Sequence, residues 1–374
     1  MKLNFQIQLV DCSQVAAMLG VRVELENSGA SLMDVSVKTE AFEIGFDGGQ
    51  PDSPVATTEI GKINIASGKI ATTDLRLRIG TPFFSTEAVP QTYAALTTLE
   101  FADGQIETYE TRFSLLSPEA GGKILIRRET TKISPCISRR KSQLPSLFVV
   151  SDSTAFSNGQ HQLGWGDPLA KLFDPEKINV RNRARPGRST RSFRSEGLWS
   201  RALAEMKAGD FVLIQFGHND ADKLAEGRCR GVLPGVGGQT QEVVMPDGTH
   251  EIVRTYGWYL RQFIAETKAK GATPILLSLT VKNLWANVRL QRNQSEYAHW
   301  AAQVAQAADA DFIDLNQIIA DRYDELGREK VQPLFCSASD NVHTSPAGAE
   351  LNAGCVAAGL KQLAKSPFTN FLLP

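Results

Sequence analysis

The chain has 374 residues, of which 42% are hydrophobic and 22% charged, which allows two packed cores and matches an ordinary globular protein. A formal net charge of −1 argues against an electrostatic nucleic-acid binder, which carries a strongly basic face. No apolar run approaches the roughly 18 residues of a membrane span, so neither nucleic acid nor a membrane is expected as a partner.

The five cysteines, Cys12, Cys136, Cys229, Cys336 and Cys355, show no Cys-x-x-Cys spacing. The five histidines, His161, His218, His250, His299 and His343, form no His-x-x-x-His pair. No metal and no other cofactor is therefore expected. The odd cysteine count leaves at least one free thiol, and Cys336 and Cys355 could pair if the last helix folds back. The first residues, Met1 to Leu9, alternate polar with apolar and read as a strand, without the apolar core of a leader peptide. The chain thus reads as cytoplasmic by default, or as secreted or periplasmic if a leader has been removed.

Residues 1–120 read as an all-β sandwich domain. Val21–Leu25, Asp34–Lys38 and Asp74–Ile79 alternate strictly, the pattern of antiparallel sheets with one buried face. Asp103-Gly104 between Leu96–Phe101 and Ile106–Phe113 signals a hairpin. The one helix-like piece lies around Ser13–Leu19. A sugar-binding role for this domain would need exposed aromatics, for which Phe83, Phe84 and Tyr93 are the candidates. Residues 121–145, basic and polar with Gly121-Gly122 and two prolines, read as a linker carrying one short strand, Lys123–Arg127.

Residues 146–374 change pattern. Apolar strand runs at Leu147–Val150, Ile178–Val180, Phe211–Phe216, Pro274–Leu279 and Phe312–Leu315 alternate with helical periodicity. Tyr256, Tyr259, Leu260, Phe263 and Ile264 share a helix face that Gly271 should stop, and Tyr297, Trp300, Ala301, Val304 and Ala305 share another. This alternation implies a doubly wound parallel sheet of the α/β class. Glu242–Val244 and His250–Val253 flank a turn and form an inserted hairpin expected over the rim of that sheet.

Ligands meet such sheets at the carboxyl ends of the strands, and four stretches there carry reactive groups. Ser151-Asp152-Ser153 follows the first strand and could form no more than a polar turn. Asn182 to Thr190 follows the second, Gly217-His218-Asn219-Asp220 the third, and Asp340-x-x-His343 precedes the last helix. Acyl transfer by serine needs a base, a group that holds the base, and donors for the oxyanion. Ser153 fits the nucleophile, His343 the base and Asp340 the holder of its imidazole. The N–H groups of Ser153 and Gly187 and the side-chain amide of Asn219 fit the oxyanion hole. Gly187 lets the backbone approach a substrate that a Cβ would obstruct.

These stretches resemble the SGNH (GDSL-like) hydrolase superfamily, whose four blocks carry Ser, Gly, Asn and His. They resemble most the rhamnogalacturonan acetylesterase group, carbohydrate esterase family 12. The resemblance rests on Asp152-Ser153-Thr154, Asn182-x-Ala184-x-x-Gly187-Arg188-Ser189, Gln215 to Asp220 and His343 to Glu350, with Thr255–Leu260 and Lys282–Trp285 beside them. It covers about Ser146 to Lys365 and none of the first domain. The family pattern begins Gly-Asp-Ser, and Ser151 replaces that glycine. The resemblance implies the SGNH-hydrolase, flavodoxin-like fold. It also implies a metal-independent O-acetylesterase acting on an acetylated oligo- or polysaccharide, pectic rhamnogalacturonan foremost, with acetylated xylan, sialate or a small lipid ester as alternatives. A catalytically inactive sugar-binding protein is the rival from another class. Arg188, Arg191 and Arg230 are the candidates to meet carboxylates of a pectic chain. The sequence leaves the oligomeric state open.

Overall fold

The computed structural model describes residues 2–13, 16–44, 54–80, 82, 84–85, 92–118, 121–133, 144–157, 161–292, 296–364 and 366–373. The chain divides into two compact units, Met1–Gln143 and Leu144–Pro374.

The first unit is built of strands, several of which alternate and bury one face. They are β1 (Lys2–Cys12), β2 (Ala16–Glu26), β3 (Met33–Ile44), β4 (Ala56–Thr57), β5 (Gly61–Ile65), β6 (Ile70–Gly80), β7 (Thr92–Phe101), β8 (Ile106–Leu115) and β9 (Ile124–Ile133). One antiparallel sheet runs β1-β2-β6, and a second runs β4-β3-β7-β8-β9 with β5 also on β3. Val21, Val23, Leu75, Leu77 and Ile79 of the first sheet share one core with Val35, Val37, Leu99 and Phe113 of the second. Asp103-Gly104 turns the β7–β8 hairpin, with Gly104 at φ +84°.

Three local expectations change here. The helix-like piece at Ser13–Leu19 is the start of β2 from Ala16 onward. Ala17 and Leu19 continue the buried positions of Val21, Val23 and Leu25, and the apolar run hid that period of two. The short strand expected at Lys123–Arg127 is the ten-residue β9, paired along β8. It lies at a sheet edge with its charged side chains in solvent, which erases the apolar signal and guards the edge. Among the aromatics, Tyr93 is 1% exposed and stacks on Phe113 with ring centroids 5.4 Å apart, so it offers no sugar platform. Phe84 is half-buried against the core, and Phe83 lies outside the described residues.

The second unit is α/β. Its strands are β10 (Ser146–Ser151), β11 (Asn179–Asn182), β12 (Phe211–Gln215), β13 (Thr240–Val244), β14 (His250–Arg254), β15 (Thr273–Leu277), β16 (Trp285–Ala286), β17 (Arg289–Leu290) and β18 (Asp311–Ile313). Five of them form a parallel sheet in the order β11-β10-β12-β15-β18. Parallel strands are covered on both faces, which is why Leu147 to Val150 read as one apolar run; all four are fully buried. Each such side chain contributes about 1.5–3 kcal/mol on leaving water. The run expected to reach Leu315 stops at Ile313, because Asp314 caps the helix Leu315–Leu326 through Gln317 N–H. No helix among the described residues is long and apolar enough to cross a membrane.

The chain leaves β10 for β11 on one side and reaches β12 on the other. That reversal opens a crevice at the carboxyl ends of these strands, where open α/β sheets bind ligands.

Candidate active site

Ser153 stands in the turn that leaves β10. Asp152 makes that turn: its Oδ1 accepts the Thr154 N–H at 2.9 Å and lies 2.8 Å from the Thr154 hydroxyl. Beneath it, fully buried Gln215 at the end of β12 gathers the Ser151 hydroxyl (3.0 Å), the Thr154 hydroxyl (3.0 Å) and the Trp165 indole N–H (3.2 Å) on one oxygen. Ser151, which stands where the family pattern has glycine, is thus the buried last residue of β10 and points its hydroxyl into the sheet. The polar turn is real, and it presents Ser153.

His343 reaches Ser153 from a loop tied at both ends. Thr344 bridges to Leu163 and Phe335, and Ser345 caps the helix Pro346–Gln362, with its hydroxyl on the Pro333 carbonyl. Gly348 makes that packing possible, because a Cβ there would meet the Leu334 oxygen at 2.0 Å. The imidazole Nε2 lies 2.9 Å from Ser153 Oγ, and Nδ1 lies 2.8 Å from Asp340 Oδ2. Asp340 Oδ1 accepts the backbone N–H groups of Val342 and His343, both at 2.9 Å. Burial opposes ionisation of Asp340, but these N–H donors and the imidazole outweigh it and hold the carboxyl down at about 2. Cys336 adds its thiol to Asp340 Oδ2 at 3.4 Å, while Cys355 is buried in the last helix; both are free thiols.

The three oxyanion candidates occupy the ends of β10, β11 and β12. Pro186-Gly187 forms a tight turn in the order a type II turn requires, with Gly187 at φ +74°. The backbone N–H groups of Ser153 and Gly187 make no hydrogen bond with any described residue. Asn219 spends one amide N–H on the Arg188 carbonyl at 2.9 Å, which keeps the other in hand and ties its loop to the Gly187 turn. A donor of this kind gains strength as charge builds on the oxygen. Asn219→Ala should therefore lower kcat by about a hundredfold or more, about 3 kcal/mol, with little change in KM. Steady-state kinetics checks this, and a raised KM at unchanged kcat would contradict it.

A fully buried carboxyl holds the same two loops together from below. Asp220 Oδ1 accepts the Thr190 N–H at 2.9 Å and its hydroxyl at 2.6 Å. Burial pushes Asp220 up to about 7, against the pull of the Thr190 donors. Its proton is thus held more tightly in the folded chain than in the unfolded one, where the ordinary value of 3.8 applies. This group's contribution to stability is whole below that value and should be lost as pH rises from about 4 to about 7. Asp220→Asn cannot ionise and should lack the fall; unfolding midpoints in urea across that range test it, and an equal fall in the variant would contradict it.

The arginines expected at the rim separate. Arg191 is 1% exposed and turned inward, bound to Glu251 on the β13–β14 hairpin and to the carbonyls of Leu224 and Gly231. It braces the hairpin, and the role of meeting substrate does not fit it. Arg188 pairs with Glu196 at 2.8 Å, and Arg230 spans from Asp222 (2.6 Å) to the Gly187 carbonyl (2.7 Å). Much of the basic cluster from Arg181 to Arg194 is neutralised, with Arg181 and Arg183 on Glu205 and Arg194 on Glu266. Among the described residues, no three or more His, Cys, Asp or Glu side chains are grouped to hold a metal ion. Gln215 under the turn and Asp220 between the loops lie in a stretch that the sequence marks, but nothing in the sequence marks either of them as an organiser.

A model described as the GDSL-like lipase/acylhydrolase family matches residues 150–351. The chain is similar to a rhamnogalacturonan acetylesterase of Emericella nidulans, 31% identical over 217 residues that cover 57% of this chain and 85% of the relative. A probable rhamnogalacturonan acetylesterase of Bacillus subtilis is 30% identical over 222 residues, 58% of this chain and 93% of that one. The crystal structure of protein YxiM of Bacillus subtilis matches 96% of this chain and 90% of its own with a TM-score of 0.53, a likeness of fold at 19% identity.

Proposed function

The chain belongs to the GDSL-like lipase/acylhydrolase family, and on that premise we propose that it is a serine esterase removing O-acetyl groups from a carbohydrate, pectic rhamnogalacturonan foremost. The observation that carries this reading is the relay from Asp340 through His343 to Ser153, at 2.8 and 2.9 Å, beside two uncommitted backbone N–H groups. The choice of sugar is supported by the relatives that are rhamnogalacturonan acetylesterases.

In the reaction, Ser153 Oγ attacks the acetyl carbonyl carbon while His343 Nε2 takes its proton. Asp340 accepts the Nδ1–H and steadies the imidazolium that forms. The carbonyl oxygen becomes an oxyanion, received by the N–H groups of Ser153 and Gly187 and by the Asn219 amide. The tetrahedral centre collapses, the bond to the sugar oxygen breaks, and His343 returns the proton to that oxygen. Water then enters, gives its proton to His343 and attacks acetyl-Ser153. The bond from the acyl carbon to Ser153 Oγ breaks, His343 returns its proton to Ser153 Oγ, and acetic acid leaves and ionises in water.

Acetate release from a panel of acetylated rhamnogalacturonan, acetylated xylan, O-acetylated sialate and a small lipid ester tests the reading. Rhamnogalacturonan should be the fastest substrate. Faster release from xylan would move the assignment to that polymer. No release from any ester would make the protein a sugar binder without turnover.

A further inference from the structure

The loop that follows Asn219 is folded tightly back against the Gly187 turn. The Gly231 N–H bonds to the Lys223 carbonyl and the Val232 N–H to the Asp220 carbonyl, each at 3.0 Å, which closes the loop at its base. Gly231 permits that closure, since a Cβ there would meet the Asp222 oxygen at 1.9 Å. Arg228 stands at its tip between two residues in left-handed backbone, Gly227 at φ +61° and Cys229 at φ +49°. Two guanidinium groups from this loop converge on the open side of Gly187: a Cβ built there would lie 3.1 Å from Arg230 Nη1 and 3.3 Å from Arg228 Nη1.

The two arginines differ in what they have left to give. Arg230 is committed to Asp222 and to the Gly187 carbonyl. Arg228 is exposed and makes no hydrogen bond or ion pair with any described residue. Asp222, which also feels the Arg228 charge, is already held by Arg230 at 2.6 Å. Lys223 and Glu226, exposed on the same loop, offset each other in charge. An unpaired planar fork beside the glycine that would receive the oxyanion suits a carboxylate on the substrate.

Resting on the acetylesterase reading, we propose that Arg228 is the residue that reads a carboxylate on the sugar chain next to the acetyl ester. It sets the preference for acidic over neutral saccharide esters and takes no part in the acyl transfer. The anion it binds is fixed to the substrate, so its effect appears only when that charge is present.

The test uses one acetylated galacturonate-containing oligosaccharide in two forms, with free carboxylates and with the carboxylates methyl-esterified. The full-length wild type should favour the free form in kcat/KM by about tenfold, and rising salt should erode that preference. Arg228→Gln should abolish the preference and its salt dependence, while Arg228→Lys should keep part of it; melting temperatures equal to the wild type's show that both variants fold. A preference unchanged in Arg228→Gln would overturn the proposal. So would an equal fall in kcat on both forms, which would place Arg228 on the oxyanion. Absence of acetate release from either form by the wild type would remove the acetylesterase reading itself, and the role of Arg228 with it.

Discussion

Ser153→Ala should abolish esterase turnover on p-nitrophenyl acetate, by roughly 10⁴-fold or more, while leaving the fold intact. Ser153 as a whole is 9% exposed, and the one hydrogen bond of its side chain among the described residues is the 2.9 Å contact with His343 Nε2. The turn does not depend on it, because Asp152 and Thr154 close the turn without the Ser153 hydroxyl. Loss of rate with an unchanged melting temperature therefore isolates chemistry from folding. The neighbouring Ser151 cannot take over: it is fully buried and bonded to Gln215. A variant that kept more than roughly a tenth of the wild-type rate would show that Ser153 is not the nucleophile.

Asp340→Asn should cost about 10⁴-fold in kcat, by the logic that governs an orienting carboxylate in any such relay. The Asn carbonyl would still accept the N–H groups of Val342 and His343 that now bind Oδ1. The amide group would then stand where Oδ2 faces His343 Nδ1 at 2.8 Å. Two donors cannot face each other, so the ring must carry its proton on Nε2 and present its lone pair to the amide. In that tautomer Nε2 cannot accept the Ser153 proton. Steady-state kinetics together with a melting curve reads this out, and a loss of only a few-fold would mean that the carboxylate neither orients nor stabilises the imidazole.

Much of the molecule was legible because two simple periods govern it. Strands of the first unit bury one face, so Val21 to Leu25 and Asp74 to Ile79 declare themselves by alternation. Strands of the parallel sheet bury both faces, so their apolar runs place Ser153, Asn182 and Gly217 at or beside strand ends, although β11 runs two residues past its apolar run and β15 and β18 stop short of theirs. The spacing Asp340-x-x-His343 was legible for a local reason: a carboxylate three residues before a histidine can cap the backbone of that histidine and reach its ring together.

What escaped depends on contacts between distant residues or on reversed patterns. β9 is an edge strand with no buried residue, so no period of two shows in it. Arg191 looked like a rim residue until its partner Glu251, sixty positions away, turned it inward. Gln215 lies inside the apolar run Phe211–Phe216 and Asp220 four residues beyond it, and nothing in the chain announces that Trp165 or Thr190 will meet them. Hydrophobic pattern reports which side of an element is buried; it does not report which polar groups satisfy one another there.

The most direct test of the account is to inactivate the enzyme with a serine-directed phosphonate and locate the adduct by mass spectrometry. The adduct should sit on Ser153 alone, in step with loss of esterase activity, and should be absent from Ser153→Ala. Full inactivation with the label on Ser151 or on any other residue would contradict it.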